Sequence, residues 1–142
     1  MEEQMARRLV AAEGKKLQQT GLVARTWGNI SCRIDENHFV ITPSGLDYET
    51  MTARDLVLMD IRNGVCCGAH KPSSEKGVHL AAYQTFPEVG YVIHTHQTYA
   101  TAIGLCGFEQ LAMTEEEAEK LGGIASCLLY TSPSPRDTER SR

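Results

Sequence analysis

Apolar residues recur along the first third of the chain with the spacing of a helix followed by a hairpin. Residues 2–20 carry them at near-helical intervals, and Gly21 is a typical helix stop. The apolar positions of this predicted helix are Met5, Leu9, Ala12 and Leu17. Residues 28–34 and 38–42 are short runs suited to strands on either side of a polar turn at 35–37. They predict a β-hairpin.

The middle of the chain alternates between strand and helix patterns. A strand is predicted over residues 56–61 with a turn at 62–64, and residues 66–71 form a loop or an edge strand. A helix is predicted to open at residues 73–75, before a strand over residues 89–93. The apolar stripe of that helix consists of Val78, Ala81, Ala82 and Phe86.

Two short helices are predicted further on, over residues 98–105 and 114–121. The resulting order of helix, strands, helix, strand and helix is typical of a layered α/β or α+β domain. The length of 142 residues suits one domain.

The composition changes near Cys127, where a segment rich in Ser, Pro and Arg begins. Pro133 and Pro135 exclude a helix or a central strand there. An ordinary disordered tail is one interpretation. The segment also resembles adapter sequence translated at the end of a truncated reading frame, and we favour that interpretation. We therefore predict a domain over residues 1–126 and a non-native or disordered tail over residues 127–142.

Charge and composition exclude several classes of protein. The net charge of −4 provides no general attraction to nucleic acid or to an anionic membrane. No apolar run approaches the roughly 20 residues of a membrane span, and the acidic N-terminus lacks the apolar core of a secretory signal. The five cysteines are odd in number and lack metal-site spacing, which predicts reduced thiols in a cytoplasmic protein.

The strongest candidate for chemistry is the pair of histidines, His94 and His96, that closes the strand predicted over residues 89–93. Side chains two residues apart on a strand point to the same face, so both imidazoles can bind one metal ion. Zinc is a natural ion for imidazole ligands. Two surface or hydrogen-bonded histidines are the alternative, and the pair alone leaves both interpretations open.

The start of the helix at Ser73-Ser74-Glu75 is a candidate anion site. Free backbone N–H groups and the helix dipole attract anions there, and the two hydroxyls add donors. The alternative is that a serine only caps the helix and that Glu75 only complements its dipole. Glu75 is also placed to act as a general acid or base beside a metal. His79 lies on the same helix face, where it hydrogen-bonds to Glu75 or packs inside, and we expect a structural role.

Two turns containing glycine, Gly28-Asn29 and Ser44-Gly45, allow a ligand to approach the backbone closely. Ordinary turns use the same residue types, so each turn alone is weak support. Trp27 is expected to be a packing anchor.

Four short motifs, taken together, resemble the zinc-dependent class II aldolase/adducin-head family. They are Thr26-x-Gly28-Asn29-x-Ser31, Thr42-Pro43-Ser44-Gly45, Lys71-Pro72-Ser73-Ser74-Glu75 and His94-Thr95-His96. Each is weak singly, but four in register are specific, and the sugar-phosphate aldolases of the family are the most similar.

The resemblance implies a three-layer α/β/α fold around a mostly antiparallel sheet, incomplete at the C-terminal end in this chain. It implies Zn²⁺ held by His94, His96 and a third histidine further on. Glu75 matches the catalytic glutamate of the family, which also touches the ion when substrate is absent. Seven residues match the pocket for the substrate phosphate, namely Thr26, Gly28, Asn29, Ser44, Gly45, Ser73 and Ser74. A homotetramer is implied for the full-length protein.

The activity that the resemblance implies is that of a lyase. It cleaves a ketose 1-phosphate into dihydroxyacetone phosphate and an aldehyde through a metal-stabilised enediolate, and Glu75 moves the proton. A sugar-phosphate epimerase or dehydratase of the same family is an alternative. The glutamate after the two serines favours an aldolase, since epimerase-type members resemble Ser-Ser-Asp there.

A non-catalytic interaction module, as in the adducin head, is a further alternative. Both histidines and Glu75 are present, which argues against it. No histidine follows His96, however, so the third ligand is missing. Catalytic zinc usually has three protein ligands and an open position. We therefore expect this chain itself to be inactive or nearly so.

Overall fold

Five strands form one antiparallel sheet in the computed structural model, which describes residues 1–23 and 25–96. The strands are β1 (Asn29–Arg33), β2 (His38–Ile41), β3 (Val57–Asp60), β4 (Cys66–Cys67) and β5 (Tyr91–His94). Their order across the sheet is β4-β3-β2-β1-β5, and every neighbouring pair is antiparallel. The last described strand thus lies beside the first.

The predicted hairpin is confirmed as β1 and β2, whose paired residues include Ser31 and Ile41. Asp35 closes the turn between them, because its carboxylate accepts hydrogen bonds from the backbone N–H groups of Asn37 (2.7 Å) and His38 (2.9 Å). The segment predicted as a loop or an edge strand contains the two-residue edge strand β4.

Helix α1 (Glu3–Gln19) forms where the sequence predicts it, but its buried face differs from the prediction. Met5 and Ala12 are exposed. The buried residues are Ala6, Val10, Ala11 and Gly14. These residues are small, so the helix approaches the sheet closely, and that selection by size is invisible to a pattern that scores apolarity alone.

Helix α2 (Lys76–Thr85) begins just after the segment predicted to open it, and its buried residues are His79 and Tyr83. The predicted apolar stripe is wrong, since Val78 is 39% exposed and Phe86 is 50% exposed. The interior face of α2 is polar because it covers buried polar side chains of β1, which require hydrogen-bond partners.

The two helices cover opposite faces of the sheet, each over its own apolar core. The core under α1 includes Ala6, Val10, Ile30, Cys32, Val40 and Leu56. The core under α2 includes Phe39, Ile41, Val57, Met59, Ile61 and Tyr83. Together they form three layers, which confirms the predicted α/β/α fold with a mostly antiparallel sheet.

Arg33 ties the C-terminal end of α2 to β1. Its guanidinium donates hydrogen bonds to the carbonyl groups of Tyr83 (2.7 Å) and Val89 (2.9 Å) and lies 4.7 Å from the centre of the Tyr83 ring. The backbone N–H of Arg33 also donates to the Gly90 carbonyl at 2.8 Å. These contacts hold the entry to β5, the strand that carries His94.

The helices predicted over residues 98–105 and 114–121 lie outside the described residues, as does the predicted boundary at residue 126. Among the residues that the structure does describe, no helix combines the length and the apolar character that crossing a membrane requires.

Candidate metal centre

The two histidines at the end of β5 converge on one point. His94 is the last residue of the strand, and His96 lies two residues beyond it. Their Nε2 atoms are 3.0 Å apart, and the planes of the two rings are 80° apart. The predicted convergence of the two imidazoles is therefore seen, although His96 lies beyond the strand.

Glu75 approaches the two histidines from the residue before α2. Its side chain makes no hydrogen bond that caps this helix. Instead, its Oε2 atom lies 3.4 Å from His94 Nε2, and each of these side chains is only 17% exposed. The carboxylate is thus aimed at the histidines, so complementing the helix dipole does not account for its placement.

The three residues fit a metal ion. Ligand atoms of Glu75, His94 and His96 all lie within 4.8 Å of one another. With bonds of about 2.0–2.1 Å in a tetrahedral zinc site, neighbouring ligand atoms lie roughly 3.3–3.4 Å apart. The separations of 3.0 Å between the imidazoles and 3.4 Å between His94 and Glu75 are close to that spacing. Two imidazoles and a carboxylate are donors suited to a divalent cation.

Gly28 brings the backbone of β1 against the first histidine. Its φ is +90°, and a Cβ there would lie 2.8 Å from the carbonyl oxygen of His94 and 2.7 Å from Val23 Cγ1. The next residue, Asn29, pairs with His94 across the two strands. Tyr48 donates a hydrogen bond from its hydroxyl to the Gly28 carbonyl at 3.0 Å. A turn predicted only for ligand approach therefore also sets the position of His94.

Two of the predicted phosphate-binding segments, one around Ser44 and one around Ser73, lie side by side. The Ser44 N–H donates to the Lys71 carbonyl at 2.9 Å, and the Ser73 N–H donates to the Thr42 carbonyl at 3.1 Å. Ser44 and Gly45 are exposed, whereas Ser73 is buried. The fold therefore brings these two motifs together next to Glu75.

The serines and Thr26 differ in their surroundings. The hydroxyl of Ser73 accepts a hydrogen bond from the Glu75 N–H at 3.3 Å, so it holds the turn that precedes α2. Ser74 is exposed, and Thr26 is half-buried in a turn shortly before Gly28. A role in phosphate binding stays a prediction for all three.

Asn29 connects Glu75 to the interior. This side chain is 2% exposed. Its amide nitrogen donates to Glu75 Oε2 at 2.5 Å, and its amide oxygen hydrogen-bonds to His79 Nε2. His79 is fully buried, as expected for a structural residue, and it reaches Glu75 through Asn29.

Burial favours the neutral form of two imidazoles, those of His94 and His79. It lowers the pKa of His94, although the nearby Glu75 carboxylate acts in the opposite direction. Burial, with a smaller effect from His94, lowers the pKa of His79 to about 4. Neutral imidazole is the form that ligates metals, so His94 is suited to this role.

No sequence pattern predicted a role for Ser31 or Tyr83, and the prediction that Trp27 is a packing anchor is wrong. The Ser31 hydroxyl lies 2.6 Å from His79 Nδ1 and 2.7 Å from the Tyr83 hydroxyl. Trp27 is 41% exposed rather than packed inside, and its ring centre lies 6.2 Å from that of His96. The only feature of the sequence that could have indicated that Trp27 lies near the metal centre is its position directly before the Gly28 turn.

A three-layer α/β/α fold, with a glutamate and two histidines gathered at the end of β5, defines an α/β protein with a possible metal site. The chain belongs to the family described as Class II Aldolase and Adducin N-terminal domain, whose profile matches residues 8–141. One relative is L-ribulose-5-phosphate 4-epimerase UlaF of Salmonella paratyphi C (strain RKS4594), 42% identical over 113 residues. The aligned part covers 78% of this chain and 49% of the relative. The chain thus spans about half the length of the curated relatives it matches.

Solved structures of aldolases are also similar. An L-fuculose 1-phosphate aldolase is 40% identical, with a TM-score of 0.66 over 70% of this chain and 47% of its own. The L-fuculose-1-phosphate aldolase of Thermus thermophilus is 25% identical, with a TM-score of 0.67 over 82% of this chain and 59% of its own. The family predicted from the four motifs is confirmed, and its similar members include an epimerase as well as aldolases.

Proposed function

We propose that this chain supplies metal-binding and phosphate-binding residues of a zinc-dependent sugar-phosphate aldolase. The reaction is cleavage of a ketose 1-phosphate into dihydroxyacetone phosphate and an aldehyde. The observation that supports it most is the position of Glu75, whose carboxylate lies 3.4 Å from His94 Nε2 and accepts a hydrogen bond from Asn29. A carboxylate held beside two imidazoles is suited both to ligating a cation and to moving a proton.

The substrate phosphate is proposed to bind at the turns that surround this carboxylate. The residues assigned to it are Thr26, Gly28, Asn29, Ser44, Gly45, Ser73 and Ser74. Support comes from the contacts that join the Ser44 segment to the Ser73 segment, which lies just before the N-terminus of α2. Helix N-termini favour anions, because their backbone N–H groups lack partners within the helix.

Glu75 is proposed to move the proton at the enediolate carbon. Its side chain is 17% exposed, so it is shielded from bulk water. The Asn29 amide holds one carboxylate oxygen, Oε2, and we propose that the other oxygen faces the substrate. A divalent cation bound by His94 and His96 would supply Lewis-acid stabilisation of the negative charge on the enediolate.

Sugar-phosphate epimerisation is the second candidate, favoured by the 42% identity to an epimerase. The two reactions place different demands on Glu75. An aldolase has to protonate the enediolate carbon before it releases dihydroxyacetone phosphate. An epimerase that breaks and re-forms the same carbon–carbon bond needs no proton there. The glutamate in place of the aspartate of epimerase-type members favours the aldolase.

Binding of an enediolate mimic tests the proposed site. Phosphoglycolohydroxamate carries a phosphate and a metal-chelating group, and calorimetry on the purified chain should show that it binds only after zinc has been added. His96→Gln should abolish this zinc-dependent binding. His70→Gln is the matched control, since His70 lies against Asp55 at 3.1 Å and outside the metal centre. Equal affinity with and without zinc would count against the metal role.

Deuterium exchange separates the two reactions. In the full-length protein with zinc present, an aldolase site should exchange one carbon-bound proton of dihydroxyacetone phosphate with D₂O, and Glu75→Gln should stop the exchange. Proton NMR measures the loss of signal directly. Epimerisation of L-ribulose 5-phosphate without any exchange would identify the second candidate instead.

The part of this chain that aligns covers about half of its curated relatives, so the activity of the whole protein is itself a proposal. We propose that zinc binds more weakly here than with a third histidine, and that the 142-residue chain turns over slowly or not at all. Stoichiometric zinc with full retro-aldol turnover would contradict this. For the full-length protein we propose a homotetramer in the cytoplasm.

A further inference from the structure

Five side chains form one continuous row of hydrogen bonds from the interior to the metal centre. In order, they are Tyr83, Ser31, His79, Asn29 and Glu75. The first four are between 0% and 2% exposed. Buried polar groups are expensive to leave unpaired, so a row of this length constrains the conformation of each member.

The direction of every hydrogen bond in the row follows from Glu75, the residue at its outer end. An ionised carboxylate only accepts, so Asn29 has to present its amide NH₂ to Glu75 and its amide oxygen to His79. That oxygen also only accepts, so His79 has to carry its proton on Nε2. A neutral imidazole has one N–H, which makes Nδ1 an acceptor.

The inner half of the row obeys the same rule. Ser31 donates its hydroxyl proton to His79 Nδ1 at 2.6 Å, and its oxygen accepts the hydroxyl proton of Tyr83 at 2.7 Å. Burial keeps His79 neutral near pH 7, because it lowers the pKa of the imidazole to about 4. Every donor in the row then points toward Glu75.

We propose that His79 is a positioning residue that locks the side-chain amide of Asn29 with its NH₂ group toward Glu75. One N–H of that group holds the Glu75 carboxylate. The second N–H is a donor for an anionic oxygen of the substrate, a role that rests on the proposed function. A flipped amide would turn an acceptor toward both anions, so the orientation of Asn29 decides whether the site attracts or repels them.

Simple packing does not explain these contacts. A residue that packs on the sheet side of a helix needs only an apolar side chain of the right volume, as the partly buried Leu80 of the same helix provides beside the same core. His79 instead uses both ring nitrogens, on two residues of β1 that lie on the same face of that strand.

The ring protons and the Asn29 amide can be observed directly by NMR in the ¹⁵N-labelled, zinc-free chain. We expect His79 to carry its proton on Nε2 at pH 7, and the Asn29 NH₂ group to give two separate signals that exchange slowly with water. Tyr83→Phe should keep this tautomer, since Ser31 still donates to Nδ1. Ser31→Ala should keep it as well, since the Asn29 oxygen still requires the proton on Nε2. A proton on Nδ1 in the unmodified chain would overturn the proposal.

Two substitutions of His79 separate positioning from packing. Glutamine can place an amide N–H near the position of Nε2, whereas leucine cannot donate at all. We expect His79→Gln to retain the slowly exchanging Asn29 signals and His79→Leu to lose them, with melting curves recorded for both. Retention of the Asn29 signals in a folded His79→Leu chain would count against the proposal. If the His79→Leu chain does not fold, His79→Gln still decides, because loss of the Asn29 signals in a folded His79→Gln chain would also count against the proposal.

Affinity for an anion gives a second readout. With zinc present, His79→Leu should weaken phosphoglycolohydroxamate roughly tenfold, about the effect of one misdirected hydrogen bond, while His79→Gln stays within about threefold. Failure of the unmodified chain to bind this probe would count against the proposed function. The NMR result would still decide the role of His79, because the tautomer and the Asn29 signals are read without zinc or probe.

Discussion

At the scale of single residues, Gly28 is the position where backbone and site depend on each other most directly. Its φ of +90° lies in a region that other residues adopt with strain, and both Val23 and the His94 carbonyl lie where a Cβ would be placed. Gly45 shares the positive φ, at +75°, but a Cβ there would have no neighbour within 4 Å. Comparing the two glycines therefore separates the cost of backbone strain, which both share, from the cost of steric contact, which only Gly28 has.

We predict that Gly28→Ala destabilises the fold more than Gly45→Ala. The left-handed conformation should cost each variant about 1–2 kcal/mol of unfolding free energy. The two close contacts should cost Gly28→Ala roughly 1–3 kcal/mol more, as overpacking does elsewhere. Urea denaturation measures both values, and equal losses would show that the close approach to His94 is relaxed at little expense. Zinc affinity should fall only in Gly28→Ala, because the backbone of His94 has to shift.

At the scale of elements, α1 and α2 show how packing overrides an apolar pattern. Each helix forms close to its predicted range, yet each buries residues other than the predicted ones. Small residues lie inward on α1, and hydrogen-bonding residues lie inward on α2. In both cases the surface against which the helix packs determines which face is buried. For α1 it is the limited space beside Tyr48, and for α2 it is the polar groups of β1.

Two helical glycines test this selection, and we predict changes of opposite sign. Alanine is favoured over glycine in a helix by about 1 kcal/mol, so Gly77→Ala, with nothing within 4 Å of the new Cβ, should raise the unfolding free energy. At Gly14 the new Cβ would lie 2.5 Å from Tyr48 Cδ1. Tyr48 is buried and bonded to the Gly28 carbonyl, so it has little freedom to move away. Gly14→Ala should therefore lower the unfolding free energy by roughly 1–3 kcal/mol.

Thermal and urea unfolding of both variants provide the measurement. Stabilisation by Gly14→Ala would show that Tyr48 moves aside easily and that α1 is not held against it. The two substitutions are chemically identical, so a difference in sign reports only on the surroundings of each glycine.

At the scale of the whole molecule, the buried His79 makes stability depend on pH. The pKa of this imidazole is lowered from 6.5 to about 4 by burial. Between those values the unfolded chain binds more protons than the folded chain, so the unfolding free energy rises with pH. The contribution is complete above about pH 6.5 and is lost as pH falls toward 4. Its size is about 3 kcal/mol at 1.36 kcal/mol for each pKa unit.

We predict that urea unfolding of the zinc-free chain shows this loss between pH 6.5 and 4, and that His79→Gln shows less of it. Burial also lowers the pKa of His94, so the comparison between the two chains isolates His79. Asp35 and Asp55 have pKa values lowered below 3.8, so their contributions are lost at more acidic pH. An identical pH profile for the two chains would contradict the prediction.

Local patterns in the sequence were enough to predict both described helices, the hairpin and the family to which the chain belongs. A hairpin depends on residues close in the chain, and its turn at Asp35 is closed by bonds to residues two and three positions away. The four short motifs likewise identify the family without any knowledge of their arrangement in space. The histidine pair is also close in the chain, but His96 lies beyond β5, so alternation along the strand does not by itself place its ring beside that of His94.

Only the tertiary structure decided the buried faces, the exposure of Trp27 and the hydrogen-bonded row behind Glu75. The contacts of that row join residues 46 to 52 positions apart in the sequence. Whether such residues meet depends on how the helices pack on the sheet, which no periodicity encodes. The sequence also does not distinguish whether a buried polar side chain packs in the core, ligates a metal or orients a neighbouring side chain. Its partners distinguish these roles, and folding brings those partners together.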